Sequence, residues 1–267
     1  MRGEKRATVS GESLVRSAVA LGSDLLGLVL PLTCAGCGQG DRSLCRTCLA
    51  AFGRPYRCEE DTVVLAAQDY APALGLATWT TAGYAGAARH AVLAWKSGAR
   101  PDLGPVLATV ATRAGRDLGA ELALPEAPVA DSGLAPADLL VVPAPSGWRR
   151  RVSRRLVAAD LAVALARGLA LGTGARVWAA DVLRRSGGST HRLGAAARTR
   201  RHGAVRVVSA LPAGVPVLIV DDVVTTGATL HASRRALVGA GAQVVGAFAL
   251  AATPPPGRSG APRPDLR

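Results

Sequence analysis

The segment VPVLIVDDVVTTGATLHASRRALVGAGA, Val215–Ala242, places two adjacent carboxylates, Asp221 and Asp222, at the end of an apolar run. Seven residues of Val, Thr, Gly and Ala follow them. The branched run Val217–Val220 suits a strand buried on both faces. That strand is expected to end at the acid pair, so that both carboxylates emerge at a sheet rim. Successive strand residues point to opposite sides, so the two acids need not share a task. The loop after them leads to a helix expected to start near Thr229, with free N–H groups and the positive end of its dipole exposed. Gly227 permits close approach or positive φ. Thr225, Thr226 and Thr229 add hydroxyl donors, and together these groups make a phosphate cradle. Carboxylates beside such a cradle repel phosphate unless they bind another part of the same ligand. Ribose hydroxyls are natural donors to them, so chemistry alone points to a ribose 5-phosphate. The bland alternative is an ordinary strand–turn–helix with a capping threonine.

A second constellation is CAGCGQGDRSLCRTC, which spaces Cys34, Cys37, Cys45 and Cys48 as C-x2-C-x7-C-x2-C. Each C-x2-C turn can aim two thiolates at one tetrahedral zinc, and two turns close the site. Gly36 and Gly38 relieve the tight backbone of such a knuckle. Paired disulfides are the rival reading, disfavoured in a chain read as cytoplasmic. None of the four histidines, His90, His191, His202 and His231, is near the cysteines in sequence. A closed four-thiolate site stabilises rather than catalyses. Cys58 stands alone.

The elements that must carry these residues follow from composition and pattern. The chain has 267 residues, 49% hydrophobic but only 3% aromatic, so its core must be built from Ala, Val and Leu. Its net charge is +13, almost all of it arginine, which favours anionic partners. No uninterrupted apolar run reaches the length of a membrane helix, so no membrane insertion is expected. A helix is expected from about Glu12 to Val29, with Leu14, Ala18, Leu21, Leu25 and Leu28 on one stripe; its charges argue against a signal peptide. Then come an irregular connector at RPYRCEEDTVVLAAQDYAPAL and a strand in GLATWTTAGY. Two helices follow, broken at Ser97–Pro101, the first ending in WKSG. LLVVPAPSG reads as a short buried strand running into a Pro-rich turn. A basic helix start, WRRRVSRRLVAADL, comes next, then a short strand in ARVWAADVLRRSGG. A further helix and strand are expected over STHRLGAAARTRRHGAVRVVSA. Last come the strand, helix and strand of Val215–Thr253. Alternating strands and helices predict an α/β fold whose mainly parallel sheet is flanked by helices on both faces. Ligands in such folds bind beyond the carboxyl ends of the strands. The expected organisation is 12–60 for the N-terminal helix and zinc module, 70–252 for the α/β domain and 253–267 for a disordered tail. No P-loop or dinucleotide fingerprint is present.

VLIVDDVVTTGATL resembles the signature of type I phosphoribosyltransferases, which bind phosphoribosyl pyrophosphate. With CAGCG…LCRTC, WKSG, VVPAPSGWRRR and RRSGGSTHRLGAAAR, the chain resembles the ComF family, linked to DNA uptake during natural transformation. That family joins a four-cysteine zinc module to a phosphoribosyltransferase domain, and the resemblance spans roughly Leu25 to Ala251. It implies that Asp221 and Asp222, the candidate catalytic residues, hold the ribose 2- and 3-hydroxyls. Thr225, Thr226, Gly227, Ala228 and Thr229 would cradle the 5-phosphate, with Val223 and Val224 completing the ribose-phosphate segment. Pro143, Ala144, Pro145 and Ser146 match the pyrophosphate-binding turn. Arg149, Arg150 and Arg151 could neutralise pyrophosphate, with Lys96 a further candidate cation. Mg²⁺ would enter with the substrate, and zinc would sit on Cys34, Cys37, Cys45 and Cys48. Residues Arg184–Arg198 correspond to the loop that closes over the site.

The implied reaction is displacement of pyrophosphate from the anomeric carbon, usually by a nitrogen, a pentosyl-transferring glycosyltransferase chemistry with oxocarbenium character. The ComF pattern usually has Arg-Gly-aromatic-Asn after the pyrophosphate turn; here Ser153–Val157 reads SRRLV. A later Arg-x-x-Asn becomes RTRR at Arg198–Arg201, and His191 replaces a glutamine. These departures fall on the acceptor and loop segments, not on the ribose-phosphate motif. The alternative therefore stays open: a catalytically weak or inactive scaffold that binds single-stranded DNA or DNA-uptake proteins.

Overall fold

A computed structural model describes residues 32–58, 76–122, 139–145, 157–185 and 205–254. The expected helix at Glu12–Val29, the helix expected before Val205, the segment Ser153–Leu156 and the tail beyond Pro254 lie outside the described residues.

Strands β1 (Tyr56–Arg57), β2 (Thr78–Gly83), β3 (Leu139–Pro143), β4 (Val177–Ala179), β7 (Pro216–Val224) and β8 (Gln243–Ala252) form one sheet in the order β1-β2-β8-β7-β3-β4. All neighbours are parallel except the antiparallel β1–β2 pair at one edge. A separate antiparallel ribbon joins β5 (Leu183–Arg185) to β6 (Val205–Val207). Among the described residues the helices are α1 (Arg46–Leu49), α2 (Gly86–Ser97), α3 (Leu103–Gly119), α4 (Val157–Thr173) and α5 (Ala228–Gly239). The mainly parallel, helix-flanked α/β sheet agrees with the sequence expectation.

The central strand explains why the sheet needs cover on both faces. Val217, Leu218, Ile219 and Val220 are fully buried. Alternation sends Leu218 and Val220 into the core under α2, α3 and α4, while Val217 and Ile219 enter the core under α5. With few aromatics available, Leu and Ala fill the first core around Phe52 and Phe248.

Glycine lets α3 and α4 approach closely. Gly115 and Gly119 of α3 face Leu165–Leu169 and Gly172 of α4, and Gly168 faces Thr112 and Arg116. A Cβ on Gly168 would fall within 3.0 Å of three backbone atoms of α3. The paired i, i+4 glycines thus set the helix spacing, and Thr112 Oγ1 donates across it to the Ala164 carbonyl at 3.0 Å.

Three local expectations change. The connector after the cysteines contains β1, because Tyr56 and Arg57 pair with Thr80 and Trp79. The segment after α4 holds two short strands rather than one, since β4 joins the sheet edge while β5 pairs with β6. Strand β7 does not stop at the acids: Val223 and Val224 continue the ladder against Ala251 and Ala252, while α5 begins at Ala228, within one residue of the expected Thr229.

Candidate functional site: an acid pair with a lysine counter-ion

The carboxyl-terminal half of β7 carries Asp221 and Asp222, just past the point where Pro143 of β3 pairs with Val220 and the Ala144 N–H donates to the Val220 carbonyl at 2.7 Å. The acid pair and the start of the Pro143-Ala144-Pro145 turn are therefore neighbours at one end of the sheet. Ala144 is buried. Ser146, Arg149, Arg150 and Arg151 lie outside the described residues, as do residues 186–198 of the predicted loop; Arg184 and Arg185 fall in β5.

The two acids differ. Asp221 is partly buried, and its Oδ1 accepts a hydrogen bond at 2.8 Å from the backbone N–H of Asp222. Burial, with the adjacent Asp222 carboxylate, holds its pKa well above the ordinary carboxylate range. Asp222 is 5% exposed, and its Oδ2 forms an ion pair with Lys96 Nζ. A buried carboxylate needs such a partner. Lys96 comes from the last turn of α2, which ends on Gly98 in the left-handed conformation, φ 78°. Its charge offsets that of Asp222, while Asp221 holds its proton to higher pH than a free carboxylate does. With Lys96 against Asp222, the pair presents less net negative charge to an anion alongside than two unpaired carboxylates would.

The turn after β7 is built to open a helix. Gly227 has φ 72°, a conformation costly for residues with a side chain, and stands at the N-cap of α5. The first i→i−4 bond of the helix runs from the His231 N–H to the Gly227 carbonyl at 3.0 Å. The N–H groups before it are the ones a helix start leaves for an external acceptor. Thr226 Oγ1 accepts from the Ala228 N–H at 3.4 Å. Thr225 and Thr226 are exposed, Thr229 is partly buried, and no acidic residue occupies the first turn. A dianion there meets donors and a positive dipole end without an opposing carboxylate on the helix. His231, in the same turn, is held below its ordinary pKa by burial and then by Arg234 and Arg235.

The four cysteines also converge. The sulfurs of Cys34, Cys37, Cys45 and Cys48 lie within 4.8 Å of one another, and Cys37 and Cys45 are 3.9 Å apart. Tetrahedral zinc with its usual sulfur bonds separates thiolates by about 3.8 Å. Burial disfavours the Cys34 thiolate, yet backbone hydrogen bonds from Cys45, Cys37 and Gly36 outweigh it and bring the thiol down to about 6. Burial and the neighbouring cysteines push Cys48 the other way. Four crowded sulfurs, one favouring thiolate and one resisting it, are the donor set that a soft divalent cation reconciles. The cluster could hold a structural metal ion.

Sequence reading did not join the two sites. His90, distant from the cysteines in sequence, donates from Nδ1 to the Gly36 carbonyl at 3.1 Å. The pairing of Lys96 with Asp222 also went unread; the helix-ending WKSG was its only signal. A groove of about 610 Å³ between α3 and α4, lined by Arg113, Arg116, Asp160 and Arg167, includes neither acid.

With this geometry in place, comparison with known families matches a phosphoribosyl transferase domain over residues 160–259, from α4 through β8. No curated protein matches the chain. The chain carries a phosphoribosyl transferase domain preceded by a four-cysteine cluster.

Proposed function

We propose that the protein binds phosphoribosyl pyrophosphate, together with Mg²⁺, and transfers its ribosyl phosphate to a nitrogen acceptor. The observation that carries this reading is the acid pair of β7, with Lys96 against Asp222, set beside the Gly227-opened start of α5 inside a matched phosphoribosyl transferase domain. Asp222, ionised against Lys96, would accept from one ribose hydroxyl, and Asp221 would bind the other. The first-turn N–H groups of α5 and the hydroxyls of Thr225, Thr226 and Thr229 would take the 5-phosphate. Pyrophosphate would lie toward the Pro143-Ala144-Pro145-Ser146 turn, where Lys96 and Arg149 supply positive charge.

In the reaction the bond from the anomeric carbon to the pyrophosphate oxygen breaks as the acceptor nitrogen bonds to that carbon. The electron pair leaves with pyrophosphate. Carboxylates below the ring stabilise the positive charge that develops there, and cations stabilise the leaving anion. Mg²⁺ carried in by the substrate would supply further charge neutralisation of the leaving anion. Zinc on Cys34, Cys37, Cys45 and Cys48 would be structural.

The pairing of a cysteine knuckle with this domain supports assignment to the ComF type. That type's link to DNA uptake is favoured here by the +13 charge. Binding of single-stranded DNA should then fall steeply with salt, and no binding at low salt removes that role. The transferase reading is tested by calorimetric titration with Mg²⁺ and phosphoribosyl pyrophosphate, followed by pyrophosphate release across nitrogenous bases. Binding with release on one base supports it; absence of binding overturns it.

A further inference from the structure

We infer that the four-cysteine knuckle positions Lys96, so that metal occupancy of the knuckle governs the affinity of the acid-pair site for its sugar phosphate. The ligand half of this inference rests on the function proposed above; the mechanical half does not.

The connection is continuous. Gly36 is wedged between the knuckle and α2: a Cβ there would lie 2.7 Å from Cys48 Sγ and 3.0 Å from Ala87 Cβ. Its carbonyl accepts from His90 of α2. Beyond the other end of α2, Arg100 Nη1 donates to the Thr33 carbonyl at 2.7 Å, one residue before Cys34. The remaining nitrogens of Arg100 grip Asp102 at 2.8 and 2.7 Å. Cys34 and Cys48 are buried in one core with Ala88, Val92 and Trp95 of α2. The knuckle thus holds α2 near both ends, and Lys96 lies between the two holds, facing Asp222.

A packed helix moves as a unit, so a displacement of the knuckle reaches Lys96. A cation bonded to all four sulfurs, which lie within 4.8 Å of one another, ties the two C-x2-C turns together, and without it nothing bonds them. The knuckle then loosens, and α2 loses the reference that aims its lysine. His90 and Arg100, which tie α2 to the knuckle, are accordingly positioning residues for Lys96.

Lys96 and Lys5 are the only lysines, so Lys96 can be observed directly. Reductive ¹³C-methylation keeps its charge and yields a resonance to compare with Lys5. Chelation of zinc, verified by metal analysis, should shift the Lys96 resonance and leave that of Lys5 in place. His90→Ala and Arg100→Gln, both still zinc-loaded, should shift it as well. On unmodified protein, zinc removal should weaken phosphoribosyl pyrophosphate binding about fivefold or more, with no further loss in Lys96→Met. An unmoved Lys96 resonance in the chelated protein and in both zinc-loaded variants overturns the inference. So does an equal loss of affinity on chelation with and without Lys96. A Lys96 resonance that follows the metal in a protein that binds no phosphoribosyl pyrophosphate supports the mechanical link and refutes the ligand reading instead.

Discussion

Lys96→Met removes the counter-ion of Asp222 while keeping a long side chain on α2. Two unit charges about 3 Å apart attract by about 5 kcal/mol at an effective dielectric constant of about 20. Desolvation offsets part of this, but unequally: the Asp222 side chain is 7% exposed and that of Lys96 25%. Once the lysine is gone, the carboxylate cannot recover its hydration. Removing one partner of a buried pair costs about 3–5 kcal/mol, and the partial exposure of Lys96 lowers this to about 2–3 kcal/mol. For a chain of this size that is a fall in Tm of about 5–10 °C. Lys96→Met/Asp222→Asn removes both charges of the pair and should regain most of the loss. Thermal melts by circular dichroism at neutral pH measure all three proteins. A Lys96→Met protein as stable as the parent, or a double variant no better than Lys96→Met, refutes the ion pair as a buried, coupled unit.

Asp221→Asn should act through pH. The folded chain holds the Asp221 proton to higher pH than the unfolded chain does. The stability this contributes is complete below the unfolded value of about 3.9 and is lost as pH rises through the folded value. The Asn variant should therefore gain on the parent as pH rises above about 4, by about 1.4 kcal/mol per unit that the folded value is raised; a Tm difference that does not change with pH contradicts it. Gly168→Ala forces a methyl against the α3 backbone and should cost about 2–3 kcal/mol. Gly239, which meets nothing within 4 Å, is the control, expected to be neutral or stabilising as Ala in denaturant melts. Zinc chelation should lower Tm, because Cys34 and Cys48 belong to the main core; an unaltered melt after verified metal loss contradicts that.

Legibility followed the range of the interactions. The buried run Val217–Val220, the helix after Gly227 and the C-x2-C pairs are local patterns, and the period of a strand or the spacing of a knuckle exposes them directly. The extension of β7 through Val224 was hidden, because it depends on pairing with Ala251 and Ala252 across the sheet. Strand β1 was hidden for the same reason: two exposed residues, Tyr56 and Arg57, become a strand only where β2 offers an edge. The glycine pairs Gly115/Gly119 and Gly168/Gly172 stand openly in the sequence, but nothing local says that they face each other. Lys96 and Asp222 are 126 positions apart, and only the fold makes their charges a pair.

The central claim is that the acids hold a diol while the helix start holds the phosphate on the same sugar. Calorimetric titration with ribose 5-phosphate, 2-deoxyribose 5-phosphate and ribose separates the two contacts in one experiment. Ribose 5-phosphate should bind, its 2-deoxy analogue should bind about tenfold more weakly for a lost charge-assisted hydrogen bond, and free ribose should not register. Equal affinities for the two sugar phosphates, or binding of the deoxy form unaffected by its missing hydroxyl while Asp222→Asn also changes nothing, would contradict the account.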